Sequence, residues 1–200
     1  MLMTDICIRE FTGTHIRPYL SSIARLSTEV FREYPYLCDT HEKWELEFLQ
    51  KYAESDEAIA VIVFDGSMIV GASTGIPLQE ENESYLKPFK QQGIDYKRFF
   101  HFGESLLLQP YRRRGIGHHF FDIREEFVKR NGIYTAACFC SIDKPESDPM
   151  RPVDFRPLDD FWRKRGYVHH KDLTCTLSWK ELGEEIPSPK ELSFWTKELS

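Results

Sequence analysis

The stretch LLLQPYRRRGIGHHFFDIREEFVKR, residues 106–130, limits what this chain can fold into more than any other. Three leucines run into Pro110 and Tyr111, and three arginines then meet Gly115-Ile116-Gly117. Beyond them Ile116, Phe120, Ile123 and Phe127 recur at helical spacing, and Gly132 supplies the stop. A strand handing over to a helix through a short glycine turn needs a sheet to receive it and a packed face for the helix. That is a mixed α/β construction.

The remaining segments supply the partners. ICIREF, residues 6–11, alternates as a first strand, and Ile16, Leu20, Ile23, Leu26 and Val30 then fall at helical spacing. Asp39 and Glu42 have the spacing of a capping box, which predicts a second helix from Asp39 with Trp44, Phe48 and Tyr52 on one face. AIAVIVFDGSMIVGAST reads as a hairpin turning at Asp65-Gly66. Residues 79–98 are polar and read as an irregular insertion with room for a short helix. FFHFGESLLL, 99–108, is the next strand, where Gly103 implies a bulge or a close backbone approach.

A helix over 115–131 follows, and IYTAACFCS, 133–141, is a central strand because it carries so little charge. Residues 142–157 hold four prolines and read as a loop. LDDFWRKRGYVHH is a short helix ending at Gly166, and LTCTLSWKEL is the last strand. The tail ends in an amphipathic piece on Leu192, Trp195 and Leu199. The order is β α α β β β α β α β, a largely antiparallel sheet with flanking helices. It forms one domain over 1–200, with a core of 6–177 and a tail of 178–200.

Charge removes some functions. The 200 residues carry a net charge of -6, which argues against a general nucleic-acid or anionic-membrane binder. No apolar run approaches the roughly 20 residues that span a bilayer, and the acidic start MLMTDICIREF does not read as a signal peptide. Cys7, Cys38, Cys138, Cys140 and Cys175 are irregularly spaced, so they read as reduced thiols of a cytoplasmic protein rather than a disulfide or zinc framework. Cys138 and Cys140 are expected to face one core. His118-His119 reads as surface and local packing, and no metal is expected. Arg163-Lys164-Arg165 reads as a solvated helix face, with an anionic ligand's phosphate as the alternative partner.

In an acidic chain, the arginines of the turn need a local explanation. The first turn of a helix leaves about four N–H groups without partners at the positive end of its dipole. Gly115 and Gly117 allow an anion close to that backbone. A Walker A loop does not fit, because its spacing and lysine are missing. A dinucleotide loop does not fit either, because His118, His119 and Phe120 follow Gly117.

The segment Arg112-Arg113-Arg114-Gly115-Ile116-Gly117 resembles the Q/R-x-x-G-x-G/A motif of the GNAT superfamily of acyl-CoA-dependent N-acyltransferases. LDDFWRKRGY is similar to that family's second cofactor segment. The combination with a tryptophan-containing tail resembles members without a defined substrate. The likeness covers about 6–177 in element order, with residue matches concentrated in 104–121 and 158–167.

The resemblance implies a GNAT-like fold, with a splayed strand pair holding the cofactor. It implies acetyl-CoA as co-substrate, with its pantetheine arm along the backbone of Leu106, Leu107 and Leu108. Its pyrophosphate would lie on the turn formed by Arg112, Arg113, Arg114, Gly115, Ile116, Gly117 and His118. A backbone N–H near Leu107 or Leu108 would polarise the thioester, and the amine of a small molecule or peptide would attack directly. Several family members carry a glutamate where Glu104 stands, so Glu104 is favoured over His101 as the base; a regular strand would point the two to opposite faces, and a bulge at Gly103 would change that. Trp162 stands where the family often has a tyrosine acid, which leaves Tyr167, Cys140 or water for that role. The same departure suggests the alternative of an acyl-CoA-binding sensor or scaffold without transfer activity. Phe89, Tyr96 and 142–157 would flank the open end of the cleft, and a homodimer is left open.

Overall fold

A computed structural model describes residues 6–199. Met1 to Asp5, on which the reading of the N-terminus partly rests, lie outside the described residues. The elements are β1 (Ile6–Thr12), α1 (Leu20–Phe31), α2 (Glu42–Glu54), β2 (Ile59–Asp65), β3 (Met68–Pro77) and α3 (Glu83–Gln91). They continue with β4 (Phe99–Leu107), α4 (Ile116–Asn131), β5 (Ala136–Ile142), α5 (Asp159–Lys164), β6 (Val168–Trp179) and β7 (Ser188–Glu198). The seven strands form one sheet in the order β1-β2-β3-β4-β5-β7-β6. Every neighbouring pair is antiparallel except β4 and β5.

Alternation along the strands divides the core. Val61, Val63, Phe100, Phe102 and Phe139 meet Phe120, Phe121 and Val128 of α4 on one face. Ala60, Ile62, Ala72 and Leu106 meet Ile23, Leu49 and Tyr52 of α1 and α2 on the other. A third cluster, around Phe89, Cys138, Cys175 and Phe194, lies under α3. Cys138 and the partly buried Cys140 share it, as their spacing implied. Phe89 is fully buried there and flanks no cleft.

Four expectations are corrected. The helical pattern of Ile16 to Val30 begins as a 3₁₀ turn over Gly13–Tyr19 and becomes α-helical at Leu20. Asp39 does not cap α2, whose N-cap is His41 with extended backbone and no side-chain bond. The Asp39 carboxylate instead accepts from Arg32 at 2.8 Å and from Lys180 at 3.1 Å, joining the chain after α1 to the chain after β6. The hairpin turns one residue later than its sequence implied, with Asp65 paired to Met68 and Gly66 at φ 60°.

The tail is the fourth and largest correction. Residues 188–198 are β7, inserted between β5 and β6, with Leu192 and Phe194 in one core and Trp195 in the other. A central strand covered on both faces carries consecutive apolar residues, so the three-residue spacing of Leu192 and Trp195 imitates a helix without forming one.

Candidate functional site

The site is built around β4, where two irregularities coincide. Ser73 pairs with Ser105 and Gly75 with Phe102, so Gly103 and Glu104 together oppose Thr74. This is a β-bulge, with the Glu104 N–H donating to Thr74 Oγ1 at 3.0 Å in place of a ladder bond. On the other side, β4 pairs with β5 only at Phe99, Phe100 and His101. From the bulge onward the two strands diverge.

The ladder decides which backbone groups face the gap. The Leu108 N–H donates to Val70, so it cannot serve as a free donor there. Antiparallel alternation then turns the Leu106 backbone towards β3, and that of Leu107 and Ser105 towards the gap. The Leu107 carbonyl confirms the sense, since it accepts from Arg112 Nε at 2.8 Å. Leu106 itself is fully buried under α1 and α2, and Leu107 leans on the α4 core.

The bulge also reverses the phase of the strand. His101 pairs with Ile76 and Leu106 with Ala72. Ile76 and Ala72 share the α1–α2 face, so residues 101 and 106 do as well, although they are five apart. Glu104 joins them by alternation with Leu106. His101 and Glu104 would point apart on a regular strand, and the bulge at Gly103 turns them to one face instead.

The side chains gathered there form a buried polar cluster. Ser27 of α1 donates to Glu45 Oε2 at 2.7 Å and lies 3.5 Å from Glu104 Oε1. His101 Nδ1 lies 2.9 Å from Glu81 Oε1, and Lys51 reaches Glu81 Oε2 at 2.5 Å. Glu104 Oε2, His101 Nε2 and Tyr52 Oη are buried without a hydrogen-bond partner. Orphaned polar atoms are rare in native interiors, and several around one bulge make this cluster a candidate site. Burial, then the neighbouring charge of Glu45, pushes the Glu104 carboxyl up to about 8. Burial also opposes ionisation of Glu81, but His101 and Lys51 overcome it and hold that carboxyl below its usual range. Arg124 of α4, fully buried, donates to the Thr74 carbonyl at 2.9 Å and to Ser105 Oγ at 3.0 Å, bracing the bulge from the opposite face.

The turn after β4 is held by two struts. Tyr111 Oη donates to Asp65 at 2.6 Å, and Arg112 makes a two-pronged pair with Glu33 at 2.7 and 2.8 Å. Arg112 thus fixes the turn to the segment after α1, while the Arg113 and Arg114 side chains are exposed. Arg113 has φ 62° and Gly115, the N-cap of α4, has φ 82°. Among the described residues, the N–H groups of Arg113, Arg114, Gly115, Ile116 and Gly117 donate to nothing, whereas that of His118 returns to the Gly115 carbonyl. A Cβ on Gly117 would touch only Phe161, at 3.8 Å, so nothing in the fold itself demands glycine there.

Other candidates occupy structural positions. Trp162 packs against Phe139 and Trp195 at ring distances of 5.0 and 5.1 Å. Tyr167 is buried and donates to Glu125 at 3.2 Å, which removes it from proton donation at the gap. Arg165 is not on a solvated face: it pairs with Asp122 at 2.6 Å and Glu125 at 3.3 Å. His118 packs edge-on to Phe161. Among the described residues no group of three or more His, Cys, Asp or Glu side chains could hold a metal ion, and no helix is long and apolar enough to cross a membrane.

Sequence reasoning named the turn residues and Glu104 as candidates. It missed Ser27, Glu45, Glu81 and Arg124, because each is an ordinary polar residue on an amphipathic segment.

No protein-family profile matches the chain, and no curated protein matches it in sequence. Solved structures do. The Arabidopsis thaliana protein NAA60 in complex with a bisubstrate analogue aligns with TM-score 0.63 at 12% identity, over 98% of this chain and 100% of that one. A structure of the same protein in complex with acetyl-CoA aligns at 0.61. Ribosomal-protein-alanine N-acetyltransferase from Brucella melitensis aligns at 0.61 and 11% identity, over 96% and 99% of the two chains. An acetyltransferase of the GNAT family from Streptococcus pneumoniae aligns at 0.58 and 13% identity, over 98% and 100%. The architecture is the GNAT fold, including the parallel pair β4–β5 that splays.

Proposed function

We propose that this protein transfers an acetyl group from acetyl-CoA to the amine of a small molecule or peptide. The observation that carries the reading is a turn of unsatisfied N–H groups directly following the part of β4 that is unpaired on its β5 side. The residues present fit the group. Five N–H groups at the positive end of α4, open space at Gly117 and two exposed arginines suit a diphosphate. The outward N–H groups of Ser105 and Leu107 and the Ser105 C=O suit an arm that carries amides. Similarity of fold to acetyltransferases supports the same conclusion.

Bound acetyl-CoA would supply the activated acyl group. The chain's own residues orient it, polarise it and manage a proton. The Leu107 N–H, turned into the gap, is the donor for the thioester oxygen. Glu104 is the base. A primary ammonium has a pKa of about 10, and a carboxylate near 8 takes its proton far more readily than an ordinary one. An arriving cation also favours ionisation of Glu104 by its charge. Arg112 acts through the position of the turn, and Arg113 and Arg114 raise the local potential.

Calorimetric titration with acetyl-CoA and CoA tests the cofactor reading, and absence of binding at millimolar concentration overturns it. Release of free CoA thiol across a panel of amines then tests transfer. Binding without release for any amine points to a sensor or scaffold, a reading favoured by Trp162, a partly buried ring packed against Phe139 and Trp195 where the resemblance implies a tyrosine acid.

A further inference from the structure

We infer that Glu45 is the positioning residue for Glu104, the two carboxyl groups sharing one proton across the Ser27 hydroxyl. Glu45 carries the charge and Glu104 the proton. The geometry makes the assignment. Glu45 and Glu104 are 3% and 7% exposed, and Ser27 is fully buried between them. A hydroxyl has one proton to give. Ser27 gives it to Glu45 at 2.7 Å, while the 3.5 Å to Glu104 is too long for a strong bond. Glu104 Oε2 has no partner at all. Of two like groups in one low-dielectric site, the one with donors holds the charge and the other stays neutral.

Other groups face Glu104 as well. Lys51 and Tyr52 come from α2, Glu81 from the turn before α3, and Arg124 approaches the strand backbone from α4. Lys51 is bound by Glu81, and Arg124 is directed to backbone carbonyls and Ser105, so neither neutralises the pair. Glu45 thereby sets the pH at which Glu104 becomes available as a base. Its charge opposes loss of the proton, while the Ser27 hydroxyl, within 3.5 Å of Glu104 and free to turn to it once that carboxyl is ionised, eases it.

This deepens the acetyl-transfer reading and rests on it for the role of Glu104, but the shared proton can be measured without any substrate. Carboxyl titration of the whole protein by infrared spectroscopy, with Glu104→Gln to assign the band, is the experiment. Glu45→Gln should move the Glu104 titration to lower pH by about one unit, as removal of a near charge does. Ser27→Ala should move it to higher pH. Wherever an amine gives thiol release, the acid limb of its pH profile should follow the same two directions. An unmoved titration in folded Glu45→Gln, or shifts of the same sign in both variants, overturns the inference. If Glu45→Gln does not fold, Ser27→Ala decides alone: an upward shift supports the pair and none overturns it. If no amine is acetylated, the transfer reading falls while the titration still decides the coupling.

Discussion

Gly103 passes so close to Tyr52 that a Cβ added to the glycine would overlap the phenol oxygen and crowd Thr74 Oγ1. Tyr52 is fully buried in the α1–α2 core and its ring cannot swing aside. The bulge that brings Glu104 and His101 to one face therefore depends on a residue without a side chain. Gly103→Ala should lower unfolding free energy by about 1–3 kcal/mol through overpacking. The cost should shrink in a Tyr52→Phe background, where the obstructing oxygen is gone. Urea unfolding of the four proteins in that cycle checks it, and a cost unchanged by Tyr52→Phe would place the strain elsewhere.

The two glycines of the turn are needed for different reasons, and substitutions should separate them. Gly115 has φ 82° with free space around it, so Gly115→Ala should cost about 1–2 kcal/mol of stability from backbone conformation alone. Gly117 has an ordinary helical backbone and room for a side chain. Gly117→Leu should leave the thermal midpoint nearly unchanged while weakening acetyl-CoA binding by about tenfold or more, the loss of one good ionic hydrogen bond or its equivalent. Thermal melts and calorimetry on the same preparations give both numbers.

Arg112 should behave as a strut. Its guanidinium spans the Leu107 carbonyl and both oxygens of Glu33, a geometry that lysine cannot reproduce. Arg112→Lys keeps the charge, so a purely electrostatic role predicts little change in acetyl-CoA affinity. The structure predicts a loss of about fivefold or more, the size expected when a charged hydrogen bond is given up. Glu33→Gln should weaken binding in the same direction by less, since the pair is partly exposed. Calorimetry at fixed ionic strength distinguishes the two roles.

How much of this was legible beforehand followed the range of the interactions. The turn at 112–117 is local chemistry, so glycines, arginines and helical spacing announced it. Gly103 announced an irregularity able to change which faces His101 and Glu104 share, but not which residues of other segments would gather on that face. The cluster of Ser27, Glu45 and Glu81 is assembled from three segments far apart in sequence, and no residue type in them is unusual. The β7 strand was misread for the same reason: its partners lie in 136–142 and 168–179, and nothing near residue 195 says so.

That misreading supplies a stability prediction. Trp195 is fully buried, donates to Ser141 Oγ at 3.1 Å and stacks on His169 at 4.3 Å. Trp195→Ala should cost about 3–5 kcal/mol, as deletion of a large core side chain does. A dispensable amphipathic tail would lose almost nothing. Chemical denaturation decides between the two.

The elevated Glu104 carboxyl links stability to pH with a definite sign. In the unfolded chain a glutamate ionises near 4.3, whereas in the folded protein this one holds its proton to about 8. Between those values the folded state binds the extra proton, so each rise in pH disfavours folding. The penalty is absent below the unfolded value, grows through the window and is complete above pH 8. Glu104→Gln cannot ionise and escapes it. The variant should match the wild type near pH 4 and exceed it at pH 8 by an amount on the order of a few kcal/mol. Its turnover should fall by about 10² or more, the usual contribution of a positioned base, with acetyl-CoA affinity kept. Denaturation at the two pH values and thiol-release kinetics test both halves. A gain in stability joined to a loss of turnover would mark Glu104 as a residue held in place for chemistry at the expense of the fold. Full turnover in Glu104→Gln would pass the role of base to His101, whose Nε2 faces the same interior.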